Sequence, residues 1–269
     1  RIKILGDKDF KGMKAFSIQH PKTRSFLKEW IMHKIFKDEN ILTTRYGFIT
    51  ASLNRNNLGI YAYEEHFSKE LLQHNNKTEA PILKFNEEGI WQTRLNNPKN
   101  KNLYPYFEAS DIIPFQKKSI LSSENLKKDF EKGFKLMTKY KEFNGNLENI
   151  FDLNYTAKLY ALYDIGKIRH SYHWHNQRFY YNPKENKLEH IAFDCYAGIE
   201  EGIEDVIYGH SDNNSYDFKM TYLSKQFFNN DLFVANYKKF LDKFSNEEFL
   251  TNIINKIVYI KFIILKFIF

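Results

Sequence analysis

The apolar residues in the first 66 positions are spaced as two strand pairs with one helix between them. Residues 1–5 and 13–18 are strand-like and border the turn GDKDFKG, and residues 45–53 and 58–63 border the turn NRNN. Residues 23–37 recur at helical spacing and share one apolar face, which consists of Phe26, Leu27, Trp30, Ile31 and Ile35. This pattern predicts a small sheet covered by one helix.

The rest of the chain alternates between helices and short strands. The pattern predicts a strand at 82–85, helices over 123–140 and 152–166, a hairpin over 178–193, and a helical region over 233–250. Strands and helices together favour an α+β fold.

The composition indicates a folded protein with a basic surface. Aromatic residues make up 17% of the 269 residues, which argues against a disordered chain. Lys and Arg outnumber Asp and Glu, 40 against 33, but the cations are spread along the chain and accompany no nucleic-acid-binding motif. We therefore expect a solvated basic surface and no nucleic-acid partner. The single cysteine, Cys195, excludes an internal disulfide and leaves the redox compartment open.

The two ends of the chain bear on localisation. The chain starts at Arg1 with strand-like residues and without a methionine, so we expect it to lack its native N-terminus, and the missing signal peptide is uninformative. The apolar end KIVYIKFIILKFIF contains three lysines and is shorter than a membrane-spanning helix. A tail that packs on the core is favoured over an anchor, and no clear membrane span is predicted.

The candidate chemistry lies between residues 152 and 198. A helix that Asp152 can cap is followed by a polar loop that holds His170 and ends at Asn176, then by the hairpin, then by Asp194 and Gly198. This order of parts places an amide beside a carboxylate, as protein kinases do to hold two magnesium ions on the phosphates of ATP. Because hard cations bind carboxylate and amide oxygens, Asp194 and Asn176 are the candidate Mg²⁺ ligands.

A lysine and a glutamate are candidates for the phosphate clamp. Strand alternation puts Lys14 on the same side as Phe16 and Ile18, and a lysine beside apolar residues needs a partner or an anion. In the kinase pattern such a lysine binds the nucleotide phosphates and pairs with a helix glutamate, here Glu29. The alternatives are that Lys14 is an edge lysine that reaches solvent, and that Glu29 is a surface residue paired with a neighbour such as His33.

Residues 63–68 follow the last strand of the predicted small sheet. In a two-lobed kinase this is where the hinge contacts adenine through backbone groups, so we expect the backbone of Glu64 and Glu65 to bind the nucleotide. The two carboxylates do not suit an acid–base dyad, because adjacent residues in a strand face opposite ways.

Several segments, in the same order, resemble the CotH kinase family, the spore-coat-protein-H-like atypical protein kinases. The resemblance is carried by ALYDIGKIRH, HWHNQRFYYNP and KLEHIAFD, and it extends towards the N-terminus through LGIYAYEEHF, KEWIMHKIF and KAFSI. It covers residues 1–200 or so. In relatives the strand at residues 14–19 looks like KSFRIK, and here Ala15, Ser17 and Gln19 replace three of those residues.

The resemblance implies a bilobal, protein-kinase-like α+β fold. Residues 1–66 would form a sheet-plus-helix N-lobe, and residues 67–269 a larger, mainly helical C-lobe. The resemblance also implies an ATP- and Mg²⁺-dependent phosphotransferase that acts on Ser or Thr of a protein substrate. It further implies a location in the bacterial cell envelope or the spore.

One position departs from the kinase pattern. Kinase loops place an aspartate five residues before the metal-binding asparagine, and counting back from Asn176 gives Ser171. A serine hydroxyl cannot replace a carboxylate as general base, so His170, His173 or His175 is the expected substitute. The alternative function is a nucleotide-binding pseudokinase or scaffold.

The three loop histidines also raise the alternative of a zinc site, with Asp194 or Cys195 as a fourth ligand. Their spacing matches no zinc motif, so hydrogen-bonded loop histidines are favoured. Cys195 is not expected to act as a nucleophile, since nothing in the sequence around it favours the thiolate.

Overall fold

The computed structural model describes residues 1–99, 107–198 and 222–256. These residues form two four-stranded antiparallel sheets with helices packed beside them, in agreement with the predicted α+β class. The bilobal kinase-like arrangement and the division near residue 66 stay predictions.

The first sheet consists of β1 (Ile2–Lys3), β2 (Ala15–Gln19), β3 (Tyr46–Leu53) and β4 (Asn56–Glu65). The strand order is β1-β2-β4-β3, and every neighbouring pair is antiparallel. The two residues between β3 and β4 have φ of 52° and 68°, which closes a tight hairpin. Both strand pairs predicted from the sequence are therefore present.

Helix α1 spans Leu27–Asp38 and begins later than the periodicity predicts. The two residues before it, Ser25 and Phe26, have φ of 54° and 55°, which a right-handed helix does not allow. Before them, Pro21–Thr23 forms a single 3₁₀ turn. The chain therefore turns sharply before α1, and residues 23–26, which the periodicity assigned to the helix, precede it.

The two faces of the first sheet have different partners. Helix α1 covers one face, in an apolar cluster that includes Trp30. The other face carries a separate cluster that includes Phe16, and Ile18 packs against it. The sequence grouped Lys14 with Phe16 and Ile18, so that side of the strand is the one that α1 does not cover.

The second sheet contains β5 (Ile82–Phe85), β6 (Ile112–Pro114), β7 (Arg178–Asn182) and β8 (Lys187–His190), in the order β6-β5-β7-β8. The strand at 82–85 and the hairpin after residue 178 agree with the sequence prediction. This sheet lies in the part of the chain that was expected to be mainly helical, so that expectation was incomplete.

The helices after α1 follow the predicted pattern in most places. They are α2 (Lys69–His74), α3 (Glu88–Asn96), α4 (Lys117–Leu121), α5 (Glu124–Lys141), α6 (Leu153–Ile165) and α7 (Asp231–Ser245), followed by a helical segment over 247–256. The main core lies beside β7, α5 and α6 and is rich in aromatic side chains, among them Tyr140, Phe151, Tyr160, Trp174 and Phe179.

The loop that carries the candidate chemistry follows a well-defined helix. Asp152 accepts hydrogen bonds from the N–H groups of Asn154 (2.9 Å) and Tyr155 (3.1 Å), which caps α6 as the sequence predicts. The helix ends at Gly166, also as predicted. The start of the loop is therefore held in place by the packed end of α6.

The segment from Ala192 to Gly198 is attached to the chain on both sides of α1. The N–H of Ala192 donates to the carbonyl of Leu42 (2.8 Å), after the helix, and the N–H of Gly198 donates to the carbonyl of Thr23 (2.9 Å), before it. Asp194 lies between these two attachments. The fold therefore presents Asp194 to the residues around the start and the buried face of α1.

Two predicted features lie outside the described residues. These are the polar loop HSDNNSYD and the apolar C-terminal tail from residue 257 onwards. In the three described ranges, none of the helices combines the length and apolarity that crossing a membrane requires.

Candidate functional site

Asp194 is buried beside two basic side chains. Its Oδ1 lies 2.7 Å from Nη2 of Arg24, and its Oδ2 lies 3.5 Å from Nε2 of His170. Although burial disfavours the charged form, the hydrogen bond with His170 and the charge of Arg24 hold the pKa of Asp194 below its ordinary value. Asp194 is therefore an ionised carboxylate at neutral pH.

Asn176 is joined to Asp194 through His170. Two 3₁₀ turns, His170–Tyr172 and Trp174–Asn176, fold the loop back on itself. Nδ2 of Asn176 donates to the carbonyl oxygen of His170 (3.0 Å), while the His170 imidazole faces Asp194. The structure thus brings together three of the residues that the sequence singled out.

Ser171, the residue five positions before Asn176, supports the backbone around Asp194. Its buried hydroxyl lies 2.8 Å from the carbonyl oxygen of Phe193 and 3.2 Å from that of Asp194, and it donates to both. The side chain at the kinase base position is therefore engaged with the main chain. His170 is the loop residue whose side chain meets the carboxylate.

The three loop histidines lie together. The ring centroids of His170, His173 and His175 are 5.3 to 6.3 Å apart. Burial, with the neighbouring imidazoles, lowers the pKa of His173 and of His175 well below the ordinary value. These two histidines are neutral at physiological pH, and His170 is the member whose imidazole lies 3.5 Å from the Asp194 carboxylate.

The zinc alternative has no geometric support. In the part of the chain that the structure describes, one group of His, Cys, Asp or Glu atoms is close enough to share an ion, and it is Glu29, His33 and Cys195. In that group, Nε2 of His33 and Oε1 of Glu29 already contact each other at 3.1 Å, and burial raises the pKa of the Cys195 thiol well above its ordinary value. We therefore interpret this group as a hydrogen-bonded structural unit.

Glu29 is fully buried and binds the segment after Asp194. Its carboxylate accepts hydrogen bonds from the N–H groups of Cys195 (3.0 Å) and Tyr196 (3.1 Å), in addition to the His33 contact. The pairing with His33 was one of the alternatives weighed for Glu29, but the pair is in the interior and not on the surface.

The predicted pair between Lys14 and Glu29 is wrong. The Lys14 ammonium donates to the carbonyls of Gly6 (2.9 Å) and Lys8 (2.6 Å), in the turn between β1 and β2. Glu29 projects from α1 towards the segment after Asp194. Strand alternation therefore grouped Lys14 with the correct neighbours, but that side of the strand does not face α1.

Arg24 takes the place beside the carboxylates that Lys14 was expected to fill. Besides the contact with Asp194, its Nη1 donates to the carbonyl of Tyr196 (3.4 Å). Burial lowers its pKa, but the charges of Asp194, Glu64 and Glu29 outweigh this and raise the pKa above the ordinary value. Arg24 was not predicted from the sequence, because its partner Asp194 is distant in the chain and the residues next to Arg24 form no recognisable motif.

Glu64 and Glu65 face opposite sides of β4, as strand alternation predicts. Glu65 pairs with Arg45 on the side away from α1. The Glu64 carboxyl lies among the charges of Arg24 and Asp194, and burial together with the neighbouring carboxylates raises the pKa of Glu64 to about 8. Glu64, and not Glu65, belongs to the site around Asp194.

The backbone contact of these two glutamates with adenine stays a prediction, and the structure places both residues in a central strand of the first sheet. Strand β4 lies between β2 and β3, and Glu64 pairs with Ser17 on one side and Tyr46 on the other. The N–H of Glu65 donates to the carbonyl of Arg45 (2.9 Å). The backbone of both residues is therefore inside the hydrogen-bond ladder of the first sheet.

Arg24, Glu64, His170, Arg178 and Asp194 form what we call the Asp194 cluster. Among the described residues, four of its members carry a buried side-chain atom without a hydrogen-bond partner: Arg24 Nε, Glu64 Oε1, Arg178 Nε, and Asp194 Oδ1, whose contact there is the ion pair with Arg24. Such atoms are rare in folded proteins. Their concentration in one cluster indicates a site for a polar ligand.

The donor set of this cluster fits Mg²⁺ and phosphate. Asp194 is ionised, Glu64 offers a second carboxyl group, and the neighbouring Asn176 offers a carboxamide, so the oxygens are of the hard type that Mg²⁺ prefers. Arg24 is a planar cation that suits phosphate oxygens, whereas the terminal nitrogens of Arg178 already bind Glu87 and the carbonyls of His175 and Gln177.

The family model described as CotH kinase protein matches residues 4–268, nearly the whole chain. No protein with a curated description is significantly similar to this chain.

Proposed function

The chain belongs to the CotH kinase family, and on this basis we propose that it is an ATP- and Mg²⁺-dependent phosphotransferase acting on Ser or Thr of a protein substrate. In this reaction the substrate hydroxyl oxygen forms a bond to the γ-phosphorus. The bond from the γ-phosphorus to the β–γ bridging oxygen breaks, and ADP leaves. The hydroxyl proton passes to a base on the protein.

The observation that carries the proposal is the ionised Asp194, whose carboxylate contacts the His170 imidazole while Asn176 binds the carbonyl of the same histidine. These are the two side chains that would hold Mg²⁺, with the Glu64 carboxyl nearby. The ion, when bound, neutralises negative charge on the phosphates. A single buried carboxylate with a lowered pKa and hard oxygen neighbours supports this role.

Arg24 is the side chain that we assign to the phosphates. It is charged, it is next to the candidate metal ligand, and its Nε has no hydrogen-bond partner in the part of the chain that the structure describes. A guanidinium binds phosphate oxygens through two parallel N–H groups, which a lysine does not offer. Arg24 therefore replaces the Lys14 of the sequence-based prediction as the phosphate ligand.

His170 is the side chain that we assign as general base. It is one residue before the position of the kinase aspartate, and its Nε2 lies 3.5 Å from Oδ2 of Asp194. Imidazole is the group that most often accepts a proton in general-base catalysis. A carboxylate next to it stabilises the imidazolium that forms when the substrate hydroxyl loses its proton.

The second candidate function is a nucleotide-binding pseudokinase or scaffold. The observation that favours it is Ser171, whose hydroxyl is engaged with the carbonyls of Phe193 and Asp194 at the position where the kinase pattern has its base. In this case the Asp194 cluster binds the nucleotide and Mg²⁺ without transferring the phosphoryl group.

Two measurements on the same protein separate these functions. The first is the melting temperature with ATP and Mg²⁺ and with ATP and EDTA, because a ligand that binds only the folded state raises it. The second is transfer from γ-labelled ATP to generic protein acceptors and to the chain itself. Stabilisation with transfer supports the kinase, and stabilisation without transfer supports the scaffold. No stabilisation at millimolar ATP and Mg²⁺ contradicts both.

The Asp194→Asn variant is the control for this assay. It keeps the shape of the side chain and removes one negative charge, so the fold survives and Mg²⁺-dependent stabilisation is lost. Transfer drops by about two to three orders of magnitude, the size of effect seen when one preorganised electrostatic group is removed. Full transfer by the variant would rule out Asp194 as a metal ligand.

A further inference from the structure

A chain of buried hydrogen bonds runs from α1 to both sides of Asp194. The hydroxyl of Thr43 donates to the carbonyl of Ala192 (2.8 Å), and the same oxygen lies 2.7 Å from Nδ1 of His33. On the other side of the ring, Nε2 of His33 lies 3.1 Å from Oε1 of Glu29. All of these side chains are buried.

The number of available protons determines the direction of each of these hydrogen bonds. A carbonyl oxygen only accepts, so the one hydroxyl proton of Thr43 lies towards Ala192 and its oxygen accepts from Nδ1–H of His33. A further proton then lies between Nε2 of His33 and Oε1 of Glu29, because two bare acceptors at that distance would repel each other. Each polar side-chain atom of Glu29, His33 and Thr43 thereby has a hydrogen-bond partner.

The two ends of this chain bind the backbone on either side of Asp194. Thr43 binds the carbonyl of Ala192, two residues before it, and Glu29 binds the N–H groups of Cys195 and Tyr196, directly after it. Asp194 itself has φ of 54°, a left-handed conformation that non-glycine residues rarely adopt. Such a conformation persists only where the surrounding structure imposes it.

We propose that Glu29, His33 and Thr43 form a brace that positions Asp194 for metal binding. This inference rests on the proposed function. The brace residues do not touch the ligand; they hold the main chain from residue 192 to 196 so that the Asp194 carboxylate points into the Asp194 cluster. In this protein the carboxylate of the helix residue Glu29 holds the backbone of the metal-binding segment. It does not pair with a lysine that binds the phosphates.

The test compares two buried threonines that each donate one hydrogen bond to a carbonyl. Thr43→Val removes the hydroxyl of the brace and keeps the shape of the side chain. Thr156→Val removes a fully buried hydroxyl of α6 that donates to the carbonyl of Asp152 (2.9 Å), at the start of that helix. Thr43→Ser restores the hydroxyl without the methyl group and is the rescue variant.

The first readout is amide hydrogen exchange at Cys195 and Tyr196, which does not depend on nucleotide binding. The brace predicts exchange at least about tenfold faster in Thr43→Val than in Thr156→Val, and near wild type in Thr43→Ser. Equal exchange in the two valine variants would overturn the brace. A larger loss of melting temperature is expected in Thr43→Val than in Thr156→Val, since the first change removes two buried hydrogen bonds and the second removes one, so exchange at Cys195 and Tyr196 is compared with exchange elsewhere in each variant.

The second readout is the Mg²⁺ concentration at half-maximal stabilisation of the protein by ATP. Loss of a group that orients a metal ligand costs about 10- to 100-fold in metal affinity, so this concentration rises by that factor in Thr43→Val alone. An unchanged value would overturn the positioning role. A wild type without any Mg²⁺-dependent stabilisation would contradict the proposed function, and the brace would then be decided by the exchange rates.

Discussion

Nη2 of Arg24 lies 2.7 Å from Oδ1 of Asp194, although the two residues are far apart in the sequence. Arg24 precedes α1, and Asp194 follows the hairpin of β7 and β8. The contact places a permanent cation next to the candidate metal ligand. Because Arg24 provides this charge, we expect that Lys14, on the other face of the first sheet, is not required for phosphate binding.

The first prediction compares Arg24→Gln with Lys14→Gln. In Arg24→Gln the Kd for ATP with Mg²⁺ rises by about tenfold or more, since a hydrogen bond to a charged group contributes about 1.5–3 kcal/mol. In Lys14→Gln it changes by less than about twofold, because the ammonium binds carbonyls of its own turn. Isothermal calorimetry measures both values, and the reverse result would restore Lys14 as the phosphate ligand.

The second prediction concerns the general base. His170→Asn lowers kcat by about 10²- to 10⁴-fold, the usual contribution of a general base, and leaves the Kd for ATP nearly unchanged. The matched control is His175→Asn, which changes a buried neutral histidine of the same loop. This variant lowers the melting temperature and keeps kcat per folded molecule. A loss of kcat confined to His175→Asn would move the base to that residue.

The third prediction concerns the pH dependence that Glu64 produces. Its pKa is raised from 4.5 to about 8 by burial and by neighbouring carboxylates, so the folded state holds a proton that the unfolded state releases. The stabilising contribution of the protonated form is complete below pH 4.5 and is lost as pH rises towards 8. Glu64→Gln, which resembles the protonated form, therefore raises the melting temperature at pH 8 and has little effect near pH 4.5.

Thermal unfolding of wild type and Glu64→Gln across this pH range provides the measurement. Glu65→Gln is the control, since the Glu65 carboxylate pairs with Arg45 on the other face of β4 and loses a charge-assisted contact when changed. This control lowers the melting temperature. A gain for Glu64→Gln that does not depend on pH would contradict the raised pKa.

The fourth prediction concerns His190, which stacks on Phe151 with ring centroids 5.1 Å apart. Neither ring nitrogen has a hydrogen-bond partner within residues 1–99, 107–198 and 222–256, and burial lowers the pKa of His190 from 6.5 to about 3. The folded state excludes the charged form, so the contribution of neutral His190 is present above pH 6.5 and is lost as pH falls below it. His190→Phe avoids this loss.

The expected result is a gain in the free energy of unfolding for His190→Phe that is about 2 kcal/mol larger at pH 5 than at pH 7.5, since each pH unit below 6.5 contributes about 1.4 kcal/mol. Urea unfolding at the two pH values measures it. His20→Asn, a change at an exposed histidine, is the control for the loss of an imidazole as such. Equal gains at both pH values would mean that His190 is not held neutral.

The region around Ser171 shows which features could be predicted from residues that are neighbours in the sequence. The cap at Asp152, the stop at Gly166, the hairpin after residue 178 and the position of Asp194 were all predictable, because caps, turns and alternation depend on neighbouring residues. The approach of Asn176 and His170 to Asp194 followed from the order of these parts. The choice among three histidines did not follow, because burial decides it.

The sequence by itself determined most of the longer elements of this protein, its α+β class and the segments that resemble the CotH kinase family, but not the short elements α3, α4 and β6. Only the tertiary structure decided that Arg24 meets Asp194, that Glu29 binds the backbone after Asp194, and that Lys14 binds its own turn. The physical reason is that the two-residue period of a strand groups side chains on a face but does not say which face a helix covers. Packing of α1 on the sheet makes that choice, and it joins residues that the sequence keeps far apart.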